Sequence, residues 1–329
     1  MPSTPISSIT VQAPARLHLG FLDLHGGLGR RFGSLGLSLN ELSTALTASI
    51  DDQVTIKGPQ SARGEAYVRQ SLAAMGITGG VHIEIHNAIP DHSGLGSGTQ
   101  LALAVGTALS QLYGFDWPLN DMAREMHRGA RSGIGLGLFS LGGFVVDGGR
   151  KTEGGPPTVI SRLEFPSQWR VILVLDATDR GLHGHQEKQA FSALPQFPET
   201  SAGQLCRLAL MQAMPSLAEQ DLPGFGAAIT AIQEIVGDYF STVQGGRFAS
   251  PLVASALSWL KQNGSEGVGQ SSWGPTGFAL VDSELKAHSL VHAANNKFSA
   301  DGLQFMICSG RNHGAEIQTK SCLAHAQSR

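Results

Sequence analysis

Glycine is the feature that most constrains how this chain can fold. Forty-two of its 329 residues are glycine, nearly twice the ordinary share of about 7%. They follow no Gly-X-Y period, so a collagen-like triple helix is excluded. Because glycine permits positive φ angles and a close approach of the backbone to a ligand, their clustering predicts a site built largely from main chain. The clusters are Gly20–Gly36, Gly94–Gly98, Gly129–Gly149 and Gly264–Gly277.

The charge balance and the cysteines restrict the classes of function. Lys and Arg total 23 against 26 Asp and Glu, so no basic excess is present to hold a nucleic-acid backbone. There is no run of about 18 apolar residues, so a membrane span is not expected. Met1–Thr10 contain no Lys, Arg or apolar core, so we expect no signal peptide. Cys206, Cys308 and Cys322 are too far apart for a Cys-x-x-Cys metal site or a disulfide framework, which favours a reducing, cytoplasmic location.

Hydrophobic periodicity predicts an α+β fold with two lobes. The predicted strands are Ile6–Leu24, Leu35–Leu39, Ala45–Ile50, Gln53–Ile56, Val81–His86, Phe139–Val146, Arg170–Asp176, Thr276–Val281 and Leu303–Cys308. The predicted helices are Gln100–Tyr113, Leu119–Ala130, Glu187–Phe191, Ala202–Met214, Phe225–Phe240, Pro251–Gln262 and Glu284–Asn295. The best surface loop is Lys151–Pro157. We therefore place the lobe boundary between residues 150 and 168, with domains at 1–165 and 166–329.

The most informative motif runs from Pro90 to Gln100 and lies between a predicted strand and a predicted helix. N–H groups at a helix N-terminus bind anions, and glycines let phosphate oxygens approach. The motif is neither a Walker loop nor a dinucleotide fingerprint. A Gly-rich turn with a Ser or Thr helix cap is the alternative interpretation. The predicted phosphate-binding residues are Gly94, Leu95, Gly96, Ser97, Gly98, Thr99 and Gln100.

Polar residues near the start of the chain form a second candidate group. Arg16 and His18 are two residues apart in an otherwise apolar strand, so their side chains share one face. Such a pair either lines a pocket or marks a solvated face. Arg30 and Arg31 lie in a Gly-rich loop, where they pair with phosphate or carboxylate or remain solvated.

Two further motifs lie later in the chain. Arg131 and Ser132 precede a glycine-rich turn, which leaves Arg131 unobstructed as a ligand, whereas Arg128 fits the cationic end of a helix. A later Gly-rich loop delivers Gln270, Ser271 and Ser272 to a cleft. His183 is a further substrate-binding candidate beside His185; a metal site is disfavoured there by the lack of a third nearby ligand, and metal ligands stay unassigned.

Together these motifs resemble the GHMP kinase superfamily. Pro90 to Gln100 resembles its PxxxGLGSS signature, and Gly267–Gly277 resembles its third motif. The resemblance covers nearly the whole chain and implies a ribosomal-protein-S5-like N-terminal lobe and a ferredoxin-like C-terminal lobe. Within the superfamily, the β-ribofuranosylaminobenzene 5′-phosphate synthase family of methanopterin biosynthesis is the most similar. The residues that carry this similarity are Ala15–Gly20, Leu22–Leu24, Gly98–Leu103, Arg128–Gly135 and Gly269–Pro275.

One departure separates the chain from the kinases it resembles. Many of those kinases place a catalytic Asp just after a Ser-Gly pair, where this chain has Gly135. No acid lies near in the sequence, and Asp147 follows only after a predicted strand. The phosphate loop also reads Ser97-Gly-Thr99 in place of the usual Ser-Ser-Ala. A polyphosphate cradle without the kinase base favours diphosphate as a leaving group over ATP as a phosphoryl donor.

The resemblance implies a decarboxylating pentosyltransferase. Its small-molecule substrates are 5-phosphoribosyl 1-diphosphate and 4-aminobenzoate or 4-hydroxybenzoate, and its products are a C-riboside 5′-phosphate, CO2 and diphosphate. It also implies Mg2+ and leaves a homodimer open. The predicted catalytic residues are Arg16, His18, Arg131 and Ser132. An ATP-dependent small-molecule kinase is the alternative, followed by a catalytically silent sensor on the same fold.

Overall fold

Two sheets and the helices around them make up the fold. The computed structural model describes residues 6–152, 154–176 and 194–321. The strands are β1 (Ile6–Asp23), β2 (Arg30–Asp51), β3 (Thr55–Lys57), β4 (Gly80–Asn87), β5 (Phe144–Asp147), β6 (Arg150–Lys151), β7 (Val159–Leu163), β8 (Arg170–Asp176), β9 (Gly267–Gln270), β10 (Gly277–Val281), β11 (Leu303–Cys308) and β12 (Glu316–Ser321).

The helices frame both sheets. They are α1 (Ser61–Met75), α2 (Ser97–Leu112), α3 (Leu119–Glu125), α4 (Ile134–Leu141), α5 (Glu199–Leu208), α6 (Met214–Ala218), α7 (Leu222–Gln244), α8 (Pro251–Gln262) and α9 (Glu284–Lys297). A π-helical turn, Ala209–Ala213, joins α5 to α6. None of the described helices is long and apolar enough to span a membrane.

The first sheet is built on the long antiparallel pair of β1 and β2. Leu17 and Leu19 of β1 are fully buried, as the period-2 alternation predicted. The prediction of two separate strands, Leu35–Leu39 and Ala45–Ile50, was wrong, because both belong to the single strand β2. The register on β1 shifts between Pro14 and Ala15 and leaves residues 40–42 without a partner on β1. A bulge therefore interrupts the hydrophobic pattern without ending the strand.

The segment after the phosphate loop differs most from its prediction. Phe139–Val146 was predicted to be a strand, but its first residues end helix α4 and its last belong to β5. Gly142 and Gly143, both with positive φ, separate the two elements, and a short apolar run does not by itself distinguish helix from strand. The predicted helix Leu119–Ala130 ends early at Glu125. The predicted helix Glu187–Phe191 lies outside the described residues.

The second sheet has the order β11-β8-β10-β9, and all of its pairs are antiparallel. Val171 and Leu173 of β8 belong to the core cluster that contains α7. Ile172 and Val174 belong to the cluster that contains α8 and α9. The sheet is thus covered on both faces, and its β-α-β-β-α-β connectivity confirms the expected ferredoxin-like lobe.

One hydrophobic cluster contains residues of both lobes. Leu17 and Leu37 of the first sheet lie in the same cluster as Phe225 and Ile229 of α7. The last described strand, β12, returns to pair with β1. The α+β class is confirmed. The division into domains at residues 165 and 166 falls between β7 and β8 and stays a prediction.

Candidate active site

The motif from Gly94 to Gln100 covers the end of the loop between β4 and α2 and the first residues of α2. Helix α2 begins at Ser97, and Gly96 precedes it with a φ of 86°. The backbone N–H groups of Thr99 and Gln100 donate to the carbonyl of Gly96, and the N–H groups before them are placed at a helix N-terminus, where anions bind. The first turn itself carries no acidic side chain, and the Asp91 carboxylate beside it is paired with Arg63. The motif thus has the structure on which the phosphate-binding prediction depends.

Two of the loop glycines are required because other protein atoms approach them. A Cβ atom on Gly94 would lie 2.2 Å from the carbonyl oxygen of Ser271, and one on Gly96 would lie 2.6 Å from Cγ of Arg16. The Arg16 guanidinium donates a 2.7 Å hydrogen bond to the Gly94 carbonyl oxygen, and the Arg16 backbone N–H donates to the carbonyl of Leu95. These contacts fix the loop against β1 and against the loop after β9.

The polar residues that follow Gly96 are placed differently. Ser97 Oγ donates a 3.2 Å hydrogen bond to Asp91 Oδ1, which also pairs with Arg63 at 2.5 Å. Thr99 lines the neighbouring cleft. Gln100 is fully buried, and its Nε2 donates to the carbonyl of Gly135 at 2.9 Å. Gln100 therefore lies behind the loop, and its hydrogen bond connects the start of α2 to α4.

An open cleft with ≈ 620 Å³ of empty space contains all four predicted catalytic residues in its wall. Two of them, Arg16 and Arg131, bring positive charge. Among the described residues that line the cleft, none is Asp or Glu, so the cleft attracts anions. The remaining lining residues include Phe21, Thr99, His127, Arg128 and Ser272.

His18 is held as a neutral imidazole. It is 3% exposed, and burial, followed by the charges of Arg16 and Arg131, lowers its pKa well below the usual 6.5. Its Nδ1 accepts a 3.2 Å hydrogen bond from the backbone N–H of Gly20, so the proton of the neutral ring is on Nε2. This Nε2 is buried and has no hydrogen-bond partner. His18 therefore offers a neutral N–H donor.

Ser132 belongs to a buried network of hydroxyl groups and a carboxylate. Ser34 Oγ lies 2.6 Å from Ser132 Oγ and donates a 2.5 Å hydrogen bond to Asp147 Oδ2. The backbone N–H groups of Gly133 and Gly149 also donate to this carboxylate, each at 2.9 Å. Burial raises the pKa of Asp147, although these hydrogen bonds oppose the shift.

This network corrects the expectation that no acid lies near the Ser132-Gly pair. Asp147 is distant in sequence, but β5 pairs antiparallel with β2 and sets Asp147 directly opposite Ser34. Asp147 is fully buried and lies behind the two hydroxyls. Ser132 is the member of the network that lines the cleft.

The loop after β9 reaches the cleft from the second lobe. Ser271 Oγ donates a 2.7 Å hydrogen bond to the carbonyl of Gly94 and accepts one of 3.0 Å from the backbone N–H of His18. Gln270 is buried, and its Nε2 donates to the carbonyl of Ser272. Ser272 has a φ of 59° and lines the cleft. Ser271 and Gln270 thus support the site, while Ser272 borders it.

Two other predicted binding residues, Arg30 and Arg31, do not line the cleft. Arg30 donates to the carbonyls of Gly148 and Gly149, each at 2.8 Å, and Arg31 donates to the carbonyl of Leu24. Both arginines border a separate, mainly apolar cavity with ≈ 560 Å³ of empty space. His183 lies outside the described residues. Within the described part of the chain, no group of three His, Cys, Asp or Glu side chains is placed to hold a metal ion.

Sequence reasoning missed two parts of the site. One is the pair of Ser34 and Asp147. The feature of the sequence that could have indicated it is an acidic residue at the end of the apolar run Phe144–Asp147. The other is a cavity that Phe21 and Trp273 border. Both arise from packing between distant segments, which no local pattern records.

Comparisons with known proteins show which family the chain belongs to. Residues 65–143 match the family described as GHMP kinases N terminal domain, and residues 213–300 match GHMP kinases C terminal. A protein of Archaeoglobus fulgidus named β-ribofuranosylphenol 5′-phosphate synthase is 32% identical over 94% of this chain and 99% of its own. The chain belongs to the β-ribofuranosylphenol 5′-phosphate synthase family, within the GHMP kinase superfamily. The synthase of the same name from Methanothermobacter thermautotrophicus is 30% identical over 94% of this chain and 98% of its own.

Membership of this synthase family confirms that the chain is an enzyme and favours the synthase over the kinase alternative. Among solved structures, mevalonate diphosphate decarboxylase from Staphylococcus aureus superposes with a TM-score of 0.68 at 15% identity, over 95% of this chain and 98% of that one. A likeness at this identity shows the fold alone, and it confirms the expected two-lobed GHMP architecture.

Proposed function

We propose that the chain joins the ribosyl 5-phosphate group of 5-phosphoribosyl 1-diphosphate to the ring carbon of a benzoate that carries its carboxylate. The observation that carries this proposal is the match to synthases of that product class over nearly the full length of both chains. The names of those relatives specify a phenol product. We therefore rank 4-hydroxybenzoate ahead of 4-aminobenzoate as the aromatic substrate.

The cleft supplies what departure of the diphosphate requires. As the C1–O bond breaks, negative charge develops on the diphosphate, and pre-oriented donors stabilise such charge most effectively. The N-terminus of α2 offers backbone N–H groups, and Arg16 and Arg131 in the cleft wall add guanidinium donors. The lack of Asp or Glu among the described lining residues is consistent with an anionic substrate.

Bond formation requires positioning more than proton removal. The para-hydroxyl group makes the carbon that bears the carboxylate electron-rich, and this carbon attacks C1 of the ribose. The C–CO2 bond then breaks, and its electron pair restores the aromatic ring. A proton is not lost from that carbon, so no strong base is needed there. The neutral His18 suits this step as a hydrogen-bond donor, and the protein gains rate by holding the two reactants together.

Magnesium remains a proposal. Mg2+ is usually bound through one or two carboxylates together with substrate phosphates. Asp91 and Ser97, which hydrogen bond to each other beside the loop, offer one carboxylate and one hydroxyl oxygen. Asp91 also pairs with Arg63, so these residues fit an ion that takes most of its ligands from substrate phosphates and water. When bound, Mg2+ would neutralise charge on the departing diphosphate. Cytoplasmic location and a homodimer also stay predictions.

Product identification tests the proposed function. The full chain is incubated with Mg2+, 5-phosphoribosyl 1-diphosphate and either 4-hydroxybenzoate or 4-aminobenzoate, and the product is analysed by mass spectrometry. We expect a C-riboside 5′-phosphate that has lost the carboxyl group. A parallel panel with ATP and homoserine, mevalonate or galactose is scored for ADP. Substrate-dependent ADP release without any riboside would support the kinase instead.

A further inference from the structure

A small cavity with aromatic walls lies beside the cleft. It is a narrow space between β1, α7 and the loop after β9. Phe240 packs edge-on against Trp273 with ring centroids 4.8 Å apart, and Phe21 lies 6.4 Å from Phe240. Val236 of α7 completes the apolar wall. The aromatic side chains in this wall suit a flat ring, because aromatic rings pack favourably edge-to-face.

His18 stands at the junction of this cavity and the cleft. Together with Phe21 and Ser272 it lines both. Its Nε2 is buried and without a partner. Buried polar groups nearly always have a hydrogen-bond partner, so an unpartnered N–H at the meeting point of two cavities indicates that a ligand supplies the acceptor.

Among the described residues that line the cavity, Arg247 is the one with a permanent positive charge, and that charge is already engaged. It pairs with Asp238 at 2.7 Å and with Glu234 at 3.2 Å. The wall also contains the side-chain amides of Gln233, Gln244 and Gln270, but His18 Nε2 is the buried lining donor without a partner, so a carboxylate inside the cavity is best placed against it. A neutral donor orients a carboxylate without the positive charge that would oppose its loss as CO2.

We propose that this cavity binds the ring of the aromatic acid, with the carboxylate at His18 and the ring carbon that bears it turned toward the cleft. The assignment rests on the proposed function and adds where the second substrate binds. A phosphoribosyl group in the cleft and the ring in the cavity then meet at His18. The narrow space limits the acid to a single ring.

A cavity-filling variant tests the assignment by kinetics. Val236→Phe places extra carbon atoms in the cavity, and Val243→Phe makes the same change on the same helix at a residue that does not line it. We expect Val236→Phe to raise KM for 4-hydroxybenzoate by about tenfold or more, the scale on which methylene-sized changes in a pocket are felt. KM for 5-phosphoribosyl 1-diphosphate should change little, and Val243→Phe should leave both constants unchanged. An unchanged KM for the aromatic acid in a folded, active Val236→Phe variant would overturn the assignment while leaving the proposed function intact.

A binding titration gives an independent result that does not depend on turnover or on the folding of Val236→Phe. Tryptophan fluorescence is followed as 4-hydroxybenzoate is added to the full chain in the presence of diphosphate. We expect quenching in the wild type and in Trp259→Phe, and loss of most of it in Trp273→Phe. Equal quenching in Trp273→Phe, or none in the wild type, would contradict the assignment. If the wild type forms no riboside, the proposed function fails, and this titration still decides the cavity.

Discussion

The hydroxyl of Ser271 donates a 2.7 Å hydrogen bond to the carbonyl oxygen of Gly94 and thereby joins the loop after β9 to the phosphate loop. The same hydroxyl accepts the backbone N–H of His18. One buried side chain thus connects three segments from both lobes. The position of the phosphate loop relative to His18 depends on this connection.

Ser271→Ala is expected to destabilise the protein and impair catalysis. The change leaves a buried N–H without its acceptor, which costs about 1–3 kcal/mol, and it loosens the phosphate loop. Chemical denaturation and kcat/KM measure the two effects. Ser255→Ala is the matched control, because Ser255 donates only to the carbonyl of Pro251 within its own exposed helical turn. Equal values for the Ser271 variant and the control would contradict the role given to this hydroxyl.

Gly96→Val is expected to abolish turnover while the protein remains folded. Its φ of 86° disfavours any side chain, and a Cβ would lie 2.6 Å from Cγ of Arg16, so both the loop and Arg16 must shift. We expect at least about a hundredfold loss of kcat/KM, since an ångström-scale displacement costs about that much. Gly203→Ala, where no atom lies within 4 Å of the added Cβ, should retain full activity. Normal turnover in Gly96→Val would remove this loop from the site.

Arg131→Ala is expected to weaken binding of the phosphorylated substrate. Loss of a charge-assisted hydrogen bond costs ~1.5–3 kcal/mol, which corresponds to roughly tenfold to over a hundredfold in KM for 5-phosphoribosyl 1-diphosphate. Arg131→Lys should restore part of the effect, because it keeps the charge but not the planar fork. Arg207→Ala changes an exposed arginine of α5 and serves as control. Unchanged rate and Michaelis constants in Arg131→Ala would show that Arg131 does not touch substrate.

Asp147→Asn is expected to change how stability depends on pH. Because burial raises the pKa of Asp147 above its usual 3.8, ionisation is harder in the folded than in the unfolded chain. Its contribution to stability is therefore fully present below pH 3.8 and decreases as the pH rises through the folded-state pKa. Across that window the wild type should lose stability relative to Asp147→Asn, which does not titrate. Denaturation at a series of pH values gives this difference. A difference in stability that is constant, or that favours the wild type as pH rises, would contradict a raised pKa for Asp147.

The sequence predicted those parts of the fold that depend on local pattern. The helix Pro251–Gln262 and the strand Leu303–Cys308 have the predicted bounds, because each has clear periodicity and clear end signals. Helix α1 was missed, since its buried residues are spread among polar ones and its mean hydropathy is low. The strand β12 was missed because it is exposed along its whole length and forms only by pairing with β1.

The same distinction between local pattern and tertiary packing applies to the site. The sequence motifs named Arg16, His18, Arg131 and Ser132, and the structure places them around one cleft. The proximity of Asp147 to Ser132 depends on the register of β5 against β2, which is set by tertiary packing and not by local sequence. The roles of these residues in binding and catalysis stay predictions until the variants are measured.

Release of labelled CO2 tests the central claim most directly. The full chain is supplied with Mg2+, carboxyl-labelled 4-hydroxybenzoate and 5-phosphoribosyl 1-diphosphate, and CO2 and diphosphate are measured together. We predict that both are released in equal amounts, and only when both substrates are present. Diphosphate release without CO2, or no release of either beside substrate-dependent ADP formation from ATP, would contradict the synthase assignment.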